Sequence, residues 1–225
     1  MTVYEQIAGE TASTPVIGID AFTPPHYVTA SSTLKRTLDL MVAVPLLLIL
    51  TPVLLVLALW IKLDSKGPVF FRQARHGLNG RAFDILKFRS MHVLENGDEI
   101  AQAVKDDPRV TRAGSVMRQT SLDELPQLLN VIKGEMSLVG PRPHAVAHDR
   151  LYGALIPGYL VRQSVKPGIT GWAQVHGLRG ATPTAESMRA RVEHDIWYAR
   201  NRRLLLDIEI ILRTFGEVVR GRNAH

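Results

Sequence analysis

The sequence predicts a mostly helical α/β protein that meets a membrane through one long apolar helix and carries a small β-hairpin. Three observations lead there. Leu40–Ile61 is a run of 22 residues without a charge, set between Asp39 and Lys62. Two short β-patterned stretches follow, joined by a Gly77/Asn79-Gly80 turn. Beyond them, Leu- and Ile-rich segments repeat at helical spacing. The chain has 225 residues, 46% hydrophobic and 21% charged, which suits a packed protein and not a disordered one. It has no cysteine, so disulfide frameworks, thiolate zinc sites, iron–sulfur clusters and cysteine nucleophiles are excluded. The net charge of +6 points to anionic partners: nucleic acid, anionic lipid or phosphorylated substrates.

Residues 1–33 read as a mobile tail. They hold no Lys or Arg, three acids (Glu5, Glu10, Asp20) and no sustained apolar period. Without a basic start or an apolar core they are not a signal peptide. Residues 34–66 form the membrane segment. As a straight helix the 22 uncharged residues would reach about 33 Å, enough for the ~30 Å hydrocarbon layer. Two features argue against a plain crossing. Pro45 and Pro52 interrupt the run, and Pro52 deprives the Leu48 carbonyl of its partner, which Thr51 beside it can help satisfy. Both flanks are also basic, with Lys35 and Arg36 before the run and Lys62, Lys66, Arg72 and Arg75 after it. Such flanks tend to stay on the cytoplasmic side. A bent segment leaving on the side it entered and a kinked spanning helix both remain open on these grounds.

Residues 67–225 form the third region. Pro68–Arg72 and Ala82–Phe88 are the expected strands of the hairpin, and residues 94–108 a surface helix or loop. Leu122–Ile132 is helical by pattern, with Pro126 in its first turns and Gly134 to end it. Residues 185–199 and 204–219 are further helices. The last is very apolar with a thin charged stripe, suited to a core or to the bilayer interface.

Chemistry concentrates in three stretches. In Ser121-Leu-Asp-Glu124 the plain reading is a capping box, with Ser121 as N-cap and Glu124 reaching back. The functional reading uses the same geometry. A carboxylate in a helix's first turn is held ionised by backbone N–H groups and can attack phosphorus. Its neighbour offers hard oxygen ligands for Mg²⁺. Arg118 is close enough to clamp a phosphate. In Pro141-Arg-Pro143 the flanking prolines present Arg142 with little local freedom, for a bidentate grip on phosphate or as part of a rigid turn. Lys166–Gly180 holds four glycines, which allow close approach to a ligand or simply make turns. Asp195 is either a remote phosphate or metal helper or a helix-surface acid.

Together these stretches resemble the monotopic phosphoglycosyl transferases, bacterial sugar transferases that start glycan assembly on polyprenyl phosphate. The resemblance covers residues 34–222. It rests on Lys35-Arg36…Asp39, the apolar segment with a central proline, Lys87-Phe-Arg-Ser-Met91, Asp106-Asp-Pro-Arg-Val-Thr111, Ser121–Gln127, Gly140–Pro143 and Lys166–Gln174. It implies a re-entrant helix–break–helix hairpin, breaking here at Thr51-Pro52 and entering only the cytoplasmic leaflet of the bacterial inner membrane. Lys35 and Arg36 would anchor it at the interface, and amphipathic helices would lie beside it. It further implies a ping-pong reaction on an Asp-Glu dyad. Asp123 would attack a UDP-sugar, releasing UMP. Undecaprenyl phosphate would then take up the sugar phosphate. Asp123 and Glu124 would hold Mg²⁺. Arg118, Arg142, Lys87, Arg89, Lys166 and Asp195 are the substrate- and phosphate-binding candidates. Pro141–His148 resembles most the members that transfer glucose 1-phosphate in exopolysaccharide pathways.

Other readings are a galactose 1-phosphate transferase, an inactive scaffold, and a membrane-anchored module for anionic ligands. An inactive scaffold is expected to lack Asp123 or Glu124, and both are present. A nucleic-acid partner is not expected, because aromatics are only 6% and Trp60, Trp172 and Trp197 lie far apart. Membrane lipids are expected partners, and a homodimer is left open.

Overall fold

The computed structural model describes residues 31–92, 107–180, 182 and 184–220. The expected tail, except for its last three residues, and most of the expected 94–108 surface element lie outside these. Helix α1 (Ser31–Asp64) opens the fold. Next come the antiparallel strands β1 (Phe70–His76) and β2 (Ala82–Phe88), paired from Phe70↔Phe88 to His76↔Ala82. The expected hairpin is therefore present, and its turn places Asn79 at φ 55.

Helix α2 (Arg112–Thr120) starts at Thr111, whose hydroxyl accepts a hydrogen bond from the Gly114 N–H. It ends at Ser121, a left-handed residue at φ 59. A single 3-10 turn, Leu122–Glu124, separates it from α3 (Gln127–Lys133), which Gly134 terminates at φ 87. The continuous helix expected over 122–132 is thus split, and the capping box is absent. Ser121 is spent as the left-handed close of α2, and its side chain caps nothing in the turn that follows. The Glu124 carboxylate turns away to cations. Proline at 126 separates the 3-10 turn from α3 and stands as its N-cap.

Strands β3 (Ser137–Val139) and β4 (Gly168–Thr170) form a parallel pair that periodicity did not reveal, each being only 3 residues long. Between them lies α4 (Val146–Leu155). After β4 come α5 (Trp172–Val175), α6 (Ala185–Asn201) and α7 (Leu204–Arg220).

Helix α1 runs through Pro45 and Pro52, so the expected break is not a gap in the helix. The Thr51 hydroxyl donates to the Leu47 carbonyl at 2.8 Å, one residue from the Leu48 carbonyl that Pro52 frees. Both ends of α1 dock on one body. Near the start, Ala43 joins a core built from Ile85, Leu128, Val131, Leu138 and Ile210. Near the end, Leu57 and Ile61 pack with Phe88, Ala113 and Met117. Between them one face stays in contact through Leu47, Leu50 and Leu54, while the other is exposed, Leu48 by 69% and Ile49 by 73%. A third cluster joins α4 to α6 through Tyr152, Tyr159, Met188 and Val192.

Polar contacts fix the same two ends. Lys35 donates to Asp207 at 2.7 Å and to the Val139 carbonyl. Arg36 donates to the Val131 and Ile132 carbonyls that end α3. Asp39 accepts from the Leu138 N–H and the Ser137 hydroxyl. At the far end, Arg89 donates to the carbonyls of Ser65 and Lys66, and Asp64 accepts from the Ala113 N–H. Lys35 and Arg36 are thus taken up by the protein itself.

Helix α2 sits so close to the segment after β2 that a Cβ on Gly114 would lie 2.0 Å from the Ser90 carbonyl oxygen. Gly114→Ala should destabilise the protein by at least about 2 kcal/mol, because backbone must move to admit the methyl. Thermal unfolding in detergent checks this, and an unchanged midpoint would mean the contact is looser than described.

Candidate active site

Asp123 and Glu124 lie on the 3-10 turn between α2 and α3, both buried. Three cations reach Glu124. Lys87, from β2, donates to its Oε1 at 2.8 Å. Arg142 grips both oxygens, with Nη1 at 3.0 Å from Oε2 and Nη2 on Oε1. Arg179 stands 3.9 Å from Oε2 and donates to the Ser121 hydroxyl at 2.7 Å. Burial alone would raise the Glu124 pKa, but Arg142 and Lys87 hold it well below the usual carboxylate range.

Asp123 differs. Among the described residues none donates a hydrogen bond to it. Burial, then the Glu124 charge, pushes its pKa up to about 6, against the pull of Lys87, Arg118 and Arg142. The expectation that backbone N–H groups would hold it ionised is therefore corrected, because one 3-10 turn supplies little dipole and burial prevails. The proton is held more tightly in the folded state, so this group stabilises the fold at low pH. That contribution is lost as pH rises from about 4 through 6. Asp123→Asn should therefore be more stable than the parent above pH 6, by an amount on the order of 1–3 kcal/mol. Unfolding midpoints in Mg²⁺-free detergent at pH 4.5 and 7.5 test this. The gap should open at 7.5 and shrink at 4.5, and an equal gap at both would reject the linkage.

Arg142 is held from behind. Its carbonyl accepts from the buried Arg162, which pairs with Asp195 at 2.8 Å. Arg162 also donates to His144 Nδ1 at 2.9 Å. Arg75 donates to the Pro143 carbonyl at 3.1 Å. Asp195 is therefore neither a helix-surface acid nor a substrate contact. It is 2% exposed, and its charge is matched by Arg162.

The site thus gathers Asp123, Glu124, Lys87, Arg118 and Arg142 as the sequence suggested, and leaves out three of the candidates, Asp195 and two more. Arg89 is buried against α1, where it satisfies the last carbonyls of that helix. Lys166 lies beside Arg36 and Gly134. Arg179 is the residue sequence reading missed. Its signal was Gly177-Leu-Arg-Gly180, an arginine between two glycines. Arg191 steadies that loop through the Leu178 and Gly180 carbonyls.

One pinned acid and one acid without a hydrogen-bond donor, within a ring of cations, form a site whose charge suits phosphate groups, on a fold with one helix long and apolar enough to cross a membrane. The chain belongs to the bacterial sugar transferase family, whose model matches residues 30–221. Over 181 residues it is 54% identical to the UDP-glucose:undecaprenyl-phosphate glucose-1-phosphate transferase of Escherichia coli, covering 80% of this chain and 39% of that one. It is 53% identical to the protein of the same name from Caulobacter vibrioides over 191 residues, covering 85% and 72%. It is 48% identical to the exopolysaccharide production protein PSS of Rhizobium leguminosarum, covering 84% and 97%. The chain thus spans about two fifths of the E. coli relative and nearly all of the Rhizobium one.

Proposed function

We propose that this chain transfers a sugar 1-phosphate from a UDP-sugar to undecaprenyl phosphate, through a covalent phosphosugar ester on Asp123. The observation that carries the reading is the asymmetry of the dyad: Glu124 is locked by Lys87 and Arg142 while Asp123 is unpartnered. The Asp123 carboxylate attacks the β-phosphorus of the donor, forming an Asp–O–P bond. The P–O–P anhydride breaks and UMP leaves with the bridging oxygen. A phosphate oxygen of the lipid then attacks the same phosphorus and frees the carboxylate. The product is an undecaprenyl diphosphate sugar. Lys87, Arg118, Arg142 and Arg179 neutralise charge while phosphorus changes partners, which is most of what such a transfer requires of a protein.

The dyad fits Mg²⁺ in one specific sense. No group of three or more metal-ligating side chains occurs among the described residues. Two adjacent carboxylates, one without a hydrogen-bond donor, suit a cation that keeps its waters and shares substrate phosphates. Asp123 would hold it directly, and Glu124, whose oxygens are engaged by Lys87 and Arg142, would join by exchanging one of those contacts for the cation. When bound it supplies further neutralisation of the donor diphosphate.

Glucose is the sugar we assign, on the printed names of the relatives above, and the reaction would be the first membrane step of exopolysaccharide assembly. We assign α1 a re-entrant course in the cytoplasmic leaflet of the inner membrane. Support comes from both ends of α1 docking on one body while its outer face, with Leu48, Ile49, Leu55 and Val56, is left exposed and apolar. Helix α7 would lie at the interface. It buries Leu206 and Ile210 but exposes Leu205, Leu212 and Phe215.

The test is the nucleotide released in nanodiscs with Mg²⁺, UDP-glucose and undecaprenyl phosphate. UMP, with turnover dependent on the lipid, is expected. UDP would mean sugar transfer without phosphate and would sink the mechanism. UMP from UDP-galactose alone would overturn only the sugar. In the same assay Arg179→Ala should cost roughly 10- to 100-fold in kcat/KM for the donor, as one charge-assisted phosphate contact is lost. An unaltered kcat/KM would place Arg179 outside the donor site.

A further inference from the structure

At the start of α1 an open pocket of about 550 Å³ is lined by Thr33, Arg36, Thr37, Lys133, Gly134 and Lys166. Three of these side chains are cations. Arg36 Nη2 and Lys166 Nζ converge on Gly134, each 3.6 Å from where its Cβ would be. The left-handed turn at Gly134 ends α3 and lets both approach. Arg36 spends two donors on the Val131 and Ile132 carbonyls and keeps the rest of its guanidinium. Among the described residues Lys166 has no hydrogen-bond acceptor.

Positive charge here is in surplus. Lys35, Arg36, Lys133 and Lys166 face two carboxylates. Asp207 is paired with Lys35. Asp39 already accepts from Ser137 and Leu138. Burial and the Arg36 charge lower the Lys166 pKa, so an anion entering the pocket would relieve repulsion. The site is not the dyad's. The charges acting on Lys166 are Arg36, Asp39 and Lys35, and those acting on Asp123 are Glu124, Lys87, Arg118 and Arg142. One turn further along α1 the exposed apolar run begins, with Met41 and Val44 outward.

We infer that this pocket holds the phosphate of an anionic membrane phospholipid, with Lys133 and Lys166 on the headgroup and the acyl chains along Met41 and Val44. The inference depends on α1 meeting a membrane and not on the reaction at Asp123. A bound lipid would fix the depth at which α1 enters. Basic pockets beside membrane helices take anionic headgroups by this combination of charge and adjacent apolar surface.

The test is titration of delipidated full-length protein in neutral detergent with dihexanoyl phosphatidylglycerol and with the matching phosphatidylcholine, followed by native mass spectrometry. The anionic lipid should bind at least ~10-fold more tightly, and its Kd should rise steeply with NaCl while that of phosphatidylcholine does not. Lys133→Ala/Lys166→Ala should weaken phosphatidylglycerol by about 25-fold, roughly fivefold per lysine, with phosphatidylcholine unchanged. Glu124→Gln should leave it unchanged. Equal binding of the two lipids overturns the inference, and this comparison needs only the parent protein. Displacement by inorganic phosphate at comparable concentration would make it a free-anion site and overturn the lipid assignment. Displacement of bound phosphatidylglycerol by a short polyprenyl phosphate, with polyprenyl phosphate binding itself weakened in Lys133→Ala/Lys166→Ala, would give the pocket to the acceptor, which also overturns it.

Discussion

Asp123→Asn should abolish turnover, lowering UMP release by at least ~10³-fold, and should leave no phosphosugar adduct on the intact protein. The amide keeps the shape of the carboxylate and loses its nucleophilic charge. No neighbour replaces it. Glu124 is one residue away, but its oxygens face Lys87 and Arg142, and freeing it would strip two half-buried cations of their partner. The same variant is expected to be the more stable protein above pH 6, so lost activity is separable from lost fold. Mass spectrometry of parent and variant after mixing with UDP-glucose alone, without acceptor, reads the first half-reaction directly. A mutant that still released UMP with lipid-dependent turnover would remove Asp123 from the role of nucleophile.

Asp195→Ala should destabilise the protein by about 3–5 kcal/mol, the usual consequence of leaving a buried cation without its partner. Arg162 is fully enclosed and pairs with Asp195 through both Nε and Nη2. Removing the acid breaks the closest pair and leaves Asp149, 3.8 Å away, as the remaining acid of a guanidinium that also donates to the Arg142 carbonyl. The pair is not expected to be irreplaceable for folding. Asp195→Leu with Arg162→Met should recover much of the stability while kcat stays low, because Arg142 loses its rear support. Denaturant unfolding of the three variants, with KM and kcat for those that fold, decides this. If Asp195 instead touched substrate, its alanine variant would raise KM at unchanged stability.

Much of the outline was legible because it rests on local signals. The apolar run of α1, the period-2 strands around an Asn-Gly turn and the amphipathic α7 each carry their pattern within one window. Asp123 and Glu124 stood out as adjacent acids in an expected first helical turn, within a stretch that resembles the family's Asp-Glu dyad. What was not legible is what depends on partners far along the chain. Ser121 looked like a cap because Ser-x-x-Glu has that form, yet Gly114 and Met117 packing draws α2 in, and Ser121 must close it in a left-handed conformation. Arg89 shares a short motif with Lys87, and period-2 alternation alone would put both on one face, but β2 ends at Phe88 and Arg89, just beyond it, turns to α1 while Lys87 reaches the dyad. Arg179 reaches Ser121 across 58 positions, a distance over which no periodicity speaks. Asp195 read as a surface acid because its partner is 33 positions away.

The bond between Lys35 and Asp207 joins residues 172 positions apart. During synthesis the first helix is made long before the segment that completes its seat. Its lysine can meet the Val139 carbonyl and the Tyr198 hydroxyl earlier, but its carboxylate partner comes only with α7. Completion of that seat is therefore a late event, and a ribosome stalled before residue 207 would hold a chain in which Arg36 and Asp39 can already be seated while Lys35 still lacks its carboxylate.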